Sequence, residues 1–409
     1  MPNELLPRHV QNLIECFLEE NGVQNYTYDV TPATSEGANY VATILRIIVK
    51  GDDYALSLIV KLAPDKPLVR SILPVQIFYK QETYFYTRIF PELERFQDEH
   101  GVAEQFRAYP KYYRSSLEEF KELLLLKDMK ELGFVLRSSL EPLDYSHSFL
   151  IVKEYAKLHG VSFAMRKLKP ELFEELSRNT GDQIFQQLVM GELKKKNLNE
   201  RCDIALRCLD PVEHKEAYEK FSTFSEVMFE DVQVAVRAES AGKYSVFTHS
   251  DGWVNNYLFK YKDEDMLEEV CILDWQLSRT GSPALDLSYF LFCCTDQDFR
   301  QKYYDELLQT YYKTLCSILT EFHCDPEELF PFEVLLEHLR KFSLYGLYMA
   351  TLVLNLTLLQ GGEIPTLVNF SKEADIHVLR HASNSDDYKR YSNRMRGVIL
   401  DFVNFGYNF

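Results

Sequence analysis

Within residues 246–278, His249, Asp251 and Asn256 stand at the spacing His-x-Asp-x4-Asn, and Asp274 closes the apolar run at 270–273. These residue types at this spacing suit phosphoryl transfer. One carboxylate, Asp251, would orient the attacking hydroxyl; an amide, Asn256, and a second carboxylate, Asp274, would hold Mg²⁺ against nucleotide phosphates. A plain β-hairpin would also explain Asn and Asp, which tolerate left-handed backbone and bond their own main chain. A turn does not, however, call for His and Asp ahead of Asn, nor for an Asp ending the partner strand. The pattern is that of a kinase core.

Such a core needs elements to position it, and the chain supplies them in order. Residues 5–20 carry apolar side chains at helical spacing and stop at Asn21-Gly22. Short β-rich runs follow at 26–34, 40–49 and 54–62, with a hairpin turn at 51–53. The connection at 35–40, with Gly37, Asn39 and Tyr40, is where backbone amides could cover phosphates. Lys61 lies on an otherwise apolar strand, and a buried charge needs an anionic partner. Residues 75–90 read as a helix stopped by Pro91, and Glu82 within it is the partner expected for Lys61. Further strands are expected at 106–113 and 121–126. Lys127-Asp128-Met129 is then the hinge whose backbone would meet adenine. Gly133 marks the exit, and beyond it the pattern is helical, with Asp286 early in a helix from 284, placed to cap it or to anchor the 249–256 loop.

The expected fold is therefore α+β and bilobal, like a protein kinase. Residues 1–128 would form a nucleotide-binding lobe on a five-stranded antiparallel sheet. Residues 129–409 would form a mainly helical lobe for catalysis and substrate. A chain of 409 residues is too long for one compact core. An apolar content of 46% excludes a disordered chain, and a net charge of −17 argues against nucleic acid or an anionic membrane as partner. The eight cysteines are scattered with no CxxC pair and read as buried thiols in a reducing compartment. No signal peptide is expected from the first residues, and the uncharged run 342–362 reads as a buried helix because it carries glycines, Asn355 and Gln360. A cytoplasmic protein without a membrane partner is the expectation; the oligomeric state is left open.

These motifs together resemble the ecdysteroid kinase-like (CHK kinase-like) family, relatives of choline kinases and aminoglycoside phosphotransferases. The resemblance rests on Gly-x-Asn-Tyr (Gly37, Asn39, Tyr40), Lys61, Glu82, Leu132-Gly133-Phe134, and Ala156 with His159. It continues through His249 to Asn256, Asp274-Trp275-Gln276, and the run from Gly281 to Leu291. It spans about residues 35–360. Three positions depart from the family pattern: Ser250 where Gly is usual, Lys127 where an acidic residue is usual, and Ala38 where Glu is common. The resemblance implies ATP- and Mg²⁺-dependent phosphorylation of a hydroxyl on an ecdysteroid or hydroxylated xenobiotic. Trp253 and Tyr289 are candidate apolar walls for that substrate. Two alternatives share the same residues. One is a choline or ethanolamine kinase; the other is a pseudokinase that binds a hydrophobic ligand without transfer.

Overall fold

The structure, a computed structural model, describes residues 6–33, 42–51, 55–181, 192–263, 266–358 and 386–408. Helix α1 (Arg8–Glu20) precedes strands β1 (Thr27–Pro32), β2 (Thr43–Lys50) and β3 (Ala55–Leu62). Helices α2 (Val75–Tyr84) and α3 (Phe90–His100) come next, then β4 (Tyr112–Ser116) and β5 (Leu123–Lys127). These strands form one antiparallel sheet in the order β1-β2-β3-β5-β4. β5 shows why a run of four leucines suits its middle. Leu123 and Leu125 point to α1, and Leu124 and Leu126 join the core on the other side, as period-two side chains on a strand buried on both faces must. Lys61 is the cross-strand partner of Ile44 and Leu124, so it shares the Leu124 face.

Two elements differ from the sequence expectation. Pro91 does not stop the helix begun at Val75. Residues Phe85–Ile89 widen into a π turn, with the Phe90 N–H bonded to Phe85 O, and α3 continues with Pro91 in its first turn. A wider turn removes the i−4 carbonyl from the proline ring and tolerates its missing N–H. The strand expected at 106–113 begins only at Tyr112. Pro110 has no N–H for a ladder, and the stretch before it serves another partner: Ala108 O accepts from Ile272 N at 2.8 Å. Tyr109 stacks on Phe90.

A three-stranded sheet, β6 (Phe134–Leu136), β8 (Tyr257–Asp263) and β9 (Met266–Ile272), lies beyond the hinge, and a short pair joins β7 (Val246–Thr248) to β10 (Arg279–Gly281). The helices around them include α4 (Tyr145–Leu168), α5 (Ala284–Cys294), α6 (Gln297–Glu321), α7 (Phe332–Phe342), α8 (Leu344–Leu358) and α9 (Asp386–Asn404). The main hydrophobic core runs without a break from α2 and α3 through α4 to α9, whereas α1 and the opposite sheet face form a second, smaller one. The apolar run near 342–362 is largely α8, nearly all of it buried; its last residues lie outside those described. Among the described residues no helix is long and apolar enough to cross a membrane. All eight cysteines are free thiols. Five are buried, whereas Cys16 is exposed and Cys316 and Cys324 are half-buried, because these three lie on the outward faces of α1 and the α6 end.

Two helices approach closely at Gly346 of α8, where an added Cβ would stand 2.5 Å from the backbone carbon and oxygen of Ser288 on α5. Backbone atoms cannot swing aside, so Gly346→Ala is expected to cost about 1–3 kcal/mol and to lower the thermal midpoint by several degrees. An unchanged midpoint in a thermal melt would refute this packing. His338, on α7, is buried with Nδ1 paired to Ser282 Oγ at 2.8 Å. Burial, helped by Lys341, lowers its pKa from 6.5 to about 4. The unfolded chain therefore binds this proton first as acid is added. Stability is full above pH 6.5 and falls by up to about 3 kcal/mol as pH drops towards 4. Urea titrations across this window should show less acid sensitivity in His338→Gln than in the wild-type protein.

Candidate active site

The loop between β7 and β8 is held from beneath by α5. Asp286, in the helix's first turn, accepts from His249 N at 2.9 Å and from Ser250 N at 2.6 Å, and Oδ2 also lies 3.0 Å from His159 Nε2. It is fully buried and anchors the loop, as its position suggested. His249 reaches the other strand: Nε2 lies 2.8 Å from Leu273 O and 3.1 Å from Asp274 O, so this nitrogen carries the proton. Nδ1 then accepts from Tyr155 OH, itself 2.7 Å from Tyr257 OH. Burial pushes the His249 pKa below its usual value, which keeps the ring neutral.

Ser250 adopts φ 60°, in the left-handed region, which costs a side-chain-bearing residue about 1–2 kcal/mol. A glycine would adopt this backbone without that cost. Two bonds oppose the strain: Ser250 Oγ pairs with Thr248 Oγ1 at 2.8 Å, and Ser250 O accepts from Tyr345 OH at 2.7 Å. The side chain is thus tied back towards β7.

Asp251 is 6% exposed. Oδ2 accepts from Asn256 Nδ2 at 3.1 Å, and Oδ1 accepts from Tyr289 OH at 3.0 Å. Asn256 Nδ2 also donates to Asp251 O, which leaves the amide oxygen as its outward atom. Burial raises the Asp251 pKa to about 8, with repulsion from Asp274 adding to it, while the bonds from Tyr289 and Asn256 pull the other way. Asp274 itself has φ 62°, so its carboxylate turns out of the strand direction and meets Lys61 Nζ at 2.5 Å. Lys61 Nζ also lies 2.7 Å from Glu82 Oε2. Burial opposes the Lys61 charge, but Asp274 and Glu82 outweigh it and raise its pKa. Glu82 is pushed up to about 7 by burial against the pull of Lys61. Trp275 pins the segment: it is fully buried, stacks on Phe85 and meets His249 edge-on at 4.8 Å.

This cluster closes the polar end of a cleft of about 350 Å³ between the sheet and β6, β8 and β9. Ile44, Ile59, Leu126 and Leu258 give it apolar walls, and Lys61, Glu82, Asn256 and Asp274 its charged end. Lys127, Asp128 and Met129 form the rim. The Asp128 carboxylate is taken by Arg46 Nε at 2.6 Å and Ser57 Oγ at 2.7 Å, and its amide donates to Ser57 O. Lys127 pairs with Glu131. Met129 opens a 3₁₀ turn, so its N–H has no partner within that turn. Of the candidate residues, Lys61, Glu82, Lys127, Met129, Asn256 and Asp274 line the cleft, and Asp251 lies just past its polar end, bonded to Asn256. Gly37, Asn39 and Tyr40 lie outside the described residues. Tyr289 is 1% exposed and bonded to Asp251, so it is no apolar substrate wall; Trp253 is half-buried with its ring against the main core. Tyr289 follows Asp286 by three residues on one helix, so both face the same loop.

Asn256 Oδ1 and the Asp274 carboxylate are hard oxygen donors at one end of the cleft. That donor set fits Mg²⁺, which takes few protein ligands and completes its shell with phosphate oxygens and water. Among the described residues no group of three or more His, Cys, Asp or Glu side chains forms an all-protein metal cage.

A model of the ecdysteroid kinase-like family matches residues 36–323, well over half of the chain. No curated protein matches it. Among solved structures, the chain is similar to a GDP complex of a mutant aminoglycoside 2'-phosphotransferase IIIa, with 13% identity, 97% of this chain and 98% of that one covered, and a TM-score of 0.44. It is also similar to spectinomycin phosphotransferase with ADP and spectinomycin, with 12% identity, 95% and 97% covered, and a TM-score of 0.38. A third is a putative fructosamine-3-kinase from Haemophilus somnus, with 13% identity, 90% and 97% covered, and a TM-score of 0.36.

Proposed function

Because the chain belongs to the ecdysteroid kinase-like family, a family of small-molecule phosphotransferases, we propose that it moves the γ-phosphoryl group of Mg·ATP onto a hydroxyl of an ecdysteroid or hydroxylated xenobiotic. The observation that carries this is the buried Lys61–Glu82–Asp274 cluster at the end of an apolar cleft, with Asp251 and Asn256 bonded together beside it. The base of the nucleotide lies between Ile44, Ile59 and Leu258, its edge on the Met129 N–H and the Lys127 backbone. Lys61, held by Glu82, takes the α- and β-phosphates. Asn256 Oδ1 and Asp274 hold Mg²⁺, whose charge when bound offsets that of the phosphates. On the sequence pattern alone, Gly37, Asn39 and Tyr40 are assigned to phosphate binding. Asp251 orients the acceptor hydroxyl and late in the transfer accepts its proton as the O–P bond forms.

The division of labour follows the chain, with residues 1–128 supplying Lys61, Glu82 and one wall of the nucleotide cleft, and residues 129–409 supplying its other wall, Asp251 and the acceptor site. Five buried thiols and no disulfide among the eight cysteines suit a cytosolic protein. The test is an acceptor panel with Mg·ATP: ecdysteroids, plant glycosides and choline. Phosphorylation of a polyhydroxylated apolar acceptor is expected. Labelling of choline alone would assign the choline-type reading instead, and nucleotide binding with no transfer to any acceptor would leave a pseudokinase.

A further inference from the structure

We propose that Tyr289 is a positioning residue for this transfer: its hydroxyl, donated to Asp251 Oδ1, fixes the plane in which the carboxylate meets the acceptor hydroxyl. The inference rests on the phosphotransferase reading and deepens it. A carboxylate torsion is broad when nothing holds it, and a base must lie within hydrogen-bond reach of the proton it takes. Here each oxygen is held by one donor, Asn256 on Oδ2 and Tyr289 on Oδ1. One donor alone would leave the group free to swing about that bond; two from opposite sides fix it, and each oxygen keeps lone pairs for the acceptor.

The fold places the tyrosine by close packing. Asp286 and Tyr289 share one face of α5, so the helix grips the loop twice, at the His249 and Ser250 amides and at the Asp251 side chain. From α8, Tyr345 OH holds Ser250 O, one residue before the base, and its ring meets the Tyr289 ring edge-on at 5.9 Å and 85°. The two tyrosines come together where Gly346 lets α8 rest on Ser288. Each is the chain neighbour of one of those contact residues. Burial keeps the Tyr289 hydroxyl protonated far above the working pH range, so it remains a donor throughout.

The test is Tyr289→Phe, which keeps the ring and removes one oxygen. The expected result is a kcat lower by roughly 10- to 100-fold, with the KM values for ATP and acceptor within about twofold of wild type and Mg·ADP affinity unchanged. That affinity serves as the check on folding, since the nucleotide cleft does not include Tyr289. A kcat within twofold of wild type overturns the proposal, and so does a loss carried by KM or by Mg·ADP affinity, which would mark the hydroxyl as structural. A wild-type protein that phosphorylates no acceptor overturns the kinase reading, and this inference with it.

Discussion

Replacing Asp251 with Asn is expected to lower kcat by roughly 10²- to 10⁴-fold while the protein stays at least as stable. The two effects have one cause. Asp251 is a carboxyl held at 6% exposure, and burial first, then the neighbouring Asp274 carboxylate, raises its pKa to about 8. An amide of the same shape can accept from Asn256 Nδ2 through its oxygen while its NH2 donates to the Tyr289 hydroxyl oxygen, so both contacts persist and no carboxyl is left to ionise. What it cannot do is take the acceptor proton. Steady-state kinetics and a thermal melt on the same preparation check both halves. A variant that is inactive because it melts early would contradict the assignment of this burial to function.

Replacing Lys61 with Met is the second large effect, and it has the opposite stability sign. Lys61 is bonded to both Glu82 and Asp274. Its removal takes a preorganised donor from the phosphates, expected to lower kcat/KM by about 10²- to 10³-fold. It also leaves Glu82 buried without its counter-charge, and breaking a buried pair this way costs about 3–5 kcal/mol. Glu82 already has its pKa raised to about 7 by burial, with Lys61 pulling it down; without Lys61 it rises further. A carboxyl whose folded pKa is raised gains stability as pH falls and loses it as pH rises through that value. The stability gap between wild type and Lys61→Met should therefore shrink as pH falls from alkaline values to about 7 and then level off, because below that both proteins hold Glu82 protonated. A gap independent of pH in denaturant titrations would mean that Glu82 is not the stranded group.

Some of this was legible in the sequence because polar residues were out of place. A lysine within an apolar strand asks for a carboxylate, and the helix at 75–90 offers Glu82 on its buried face. His249, Asp251, Asn256 and Asp274 stand out because each follows or ends an apolar strand. The five strands of the sheet were legible from runs of β-branched and leucine residues between turns, except at β4, where aromatic residues before Pro110 look like a strand and instead pack on α3 and β9. The continuation of the helix past Pro91 was hidden for a similar reason: a local rule for proline was overridden by a wider turn that keeps Phe85, Ile89 and Phe90 in the core. Tyr289 and Tyr345 were the harder loss. Their hydroxyls act across 38 and 95 residues of chain, and neither aromatic spacing nor propensity reveals which buried tyrosine ends on a carboxylate. The single continuous core from α2 to α9 was equally hidden, since it depends on which helix faces meet.

The most direct measurement is γ-phosphate transfer from Mg·ATP to an ecdysteroid, followed by mass spectrometry of the acceptor, with wild type and Asp251→Asn at equal nucleotide occupancy. A phosphate ester formed by the wild type and absent in the variant, with equal Mg·ADP affinity in both, is the predicted result. An ester formed equally by both proteins would contradict Asp251 as the proton acceptor and the site built around it.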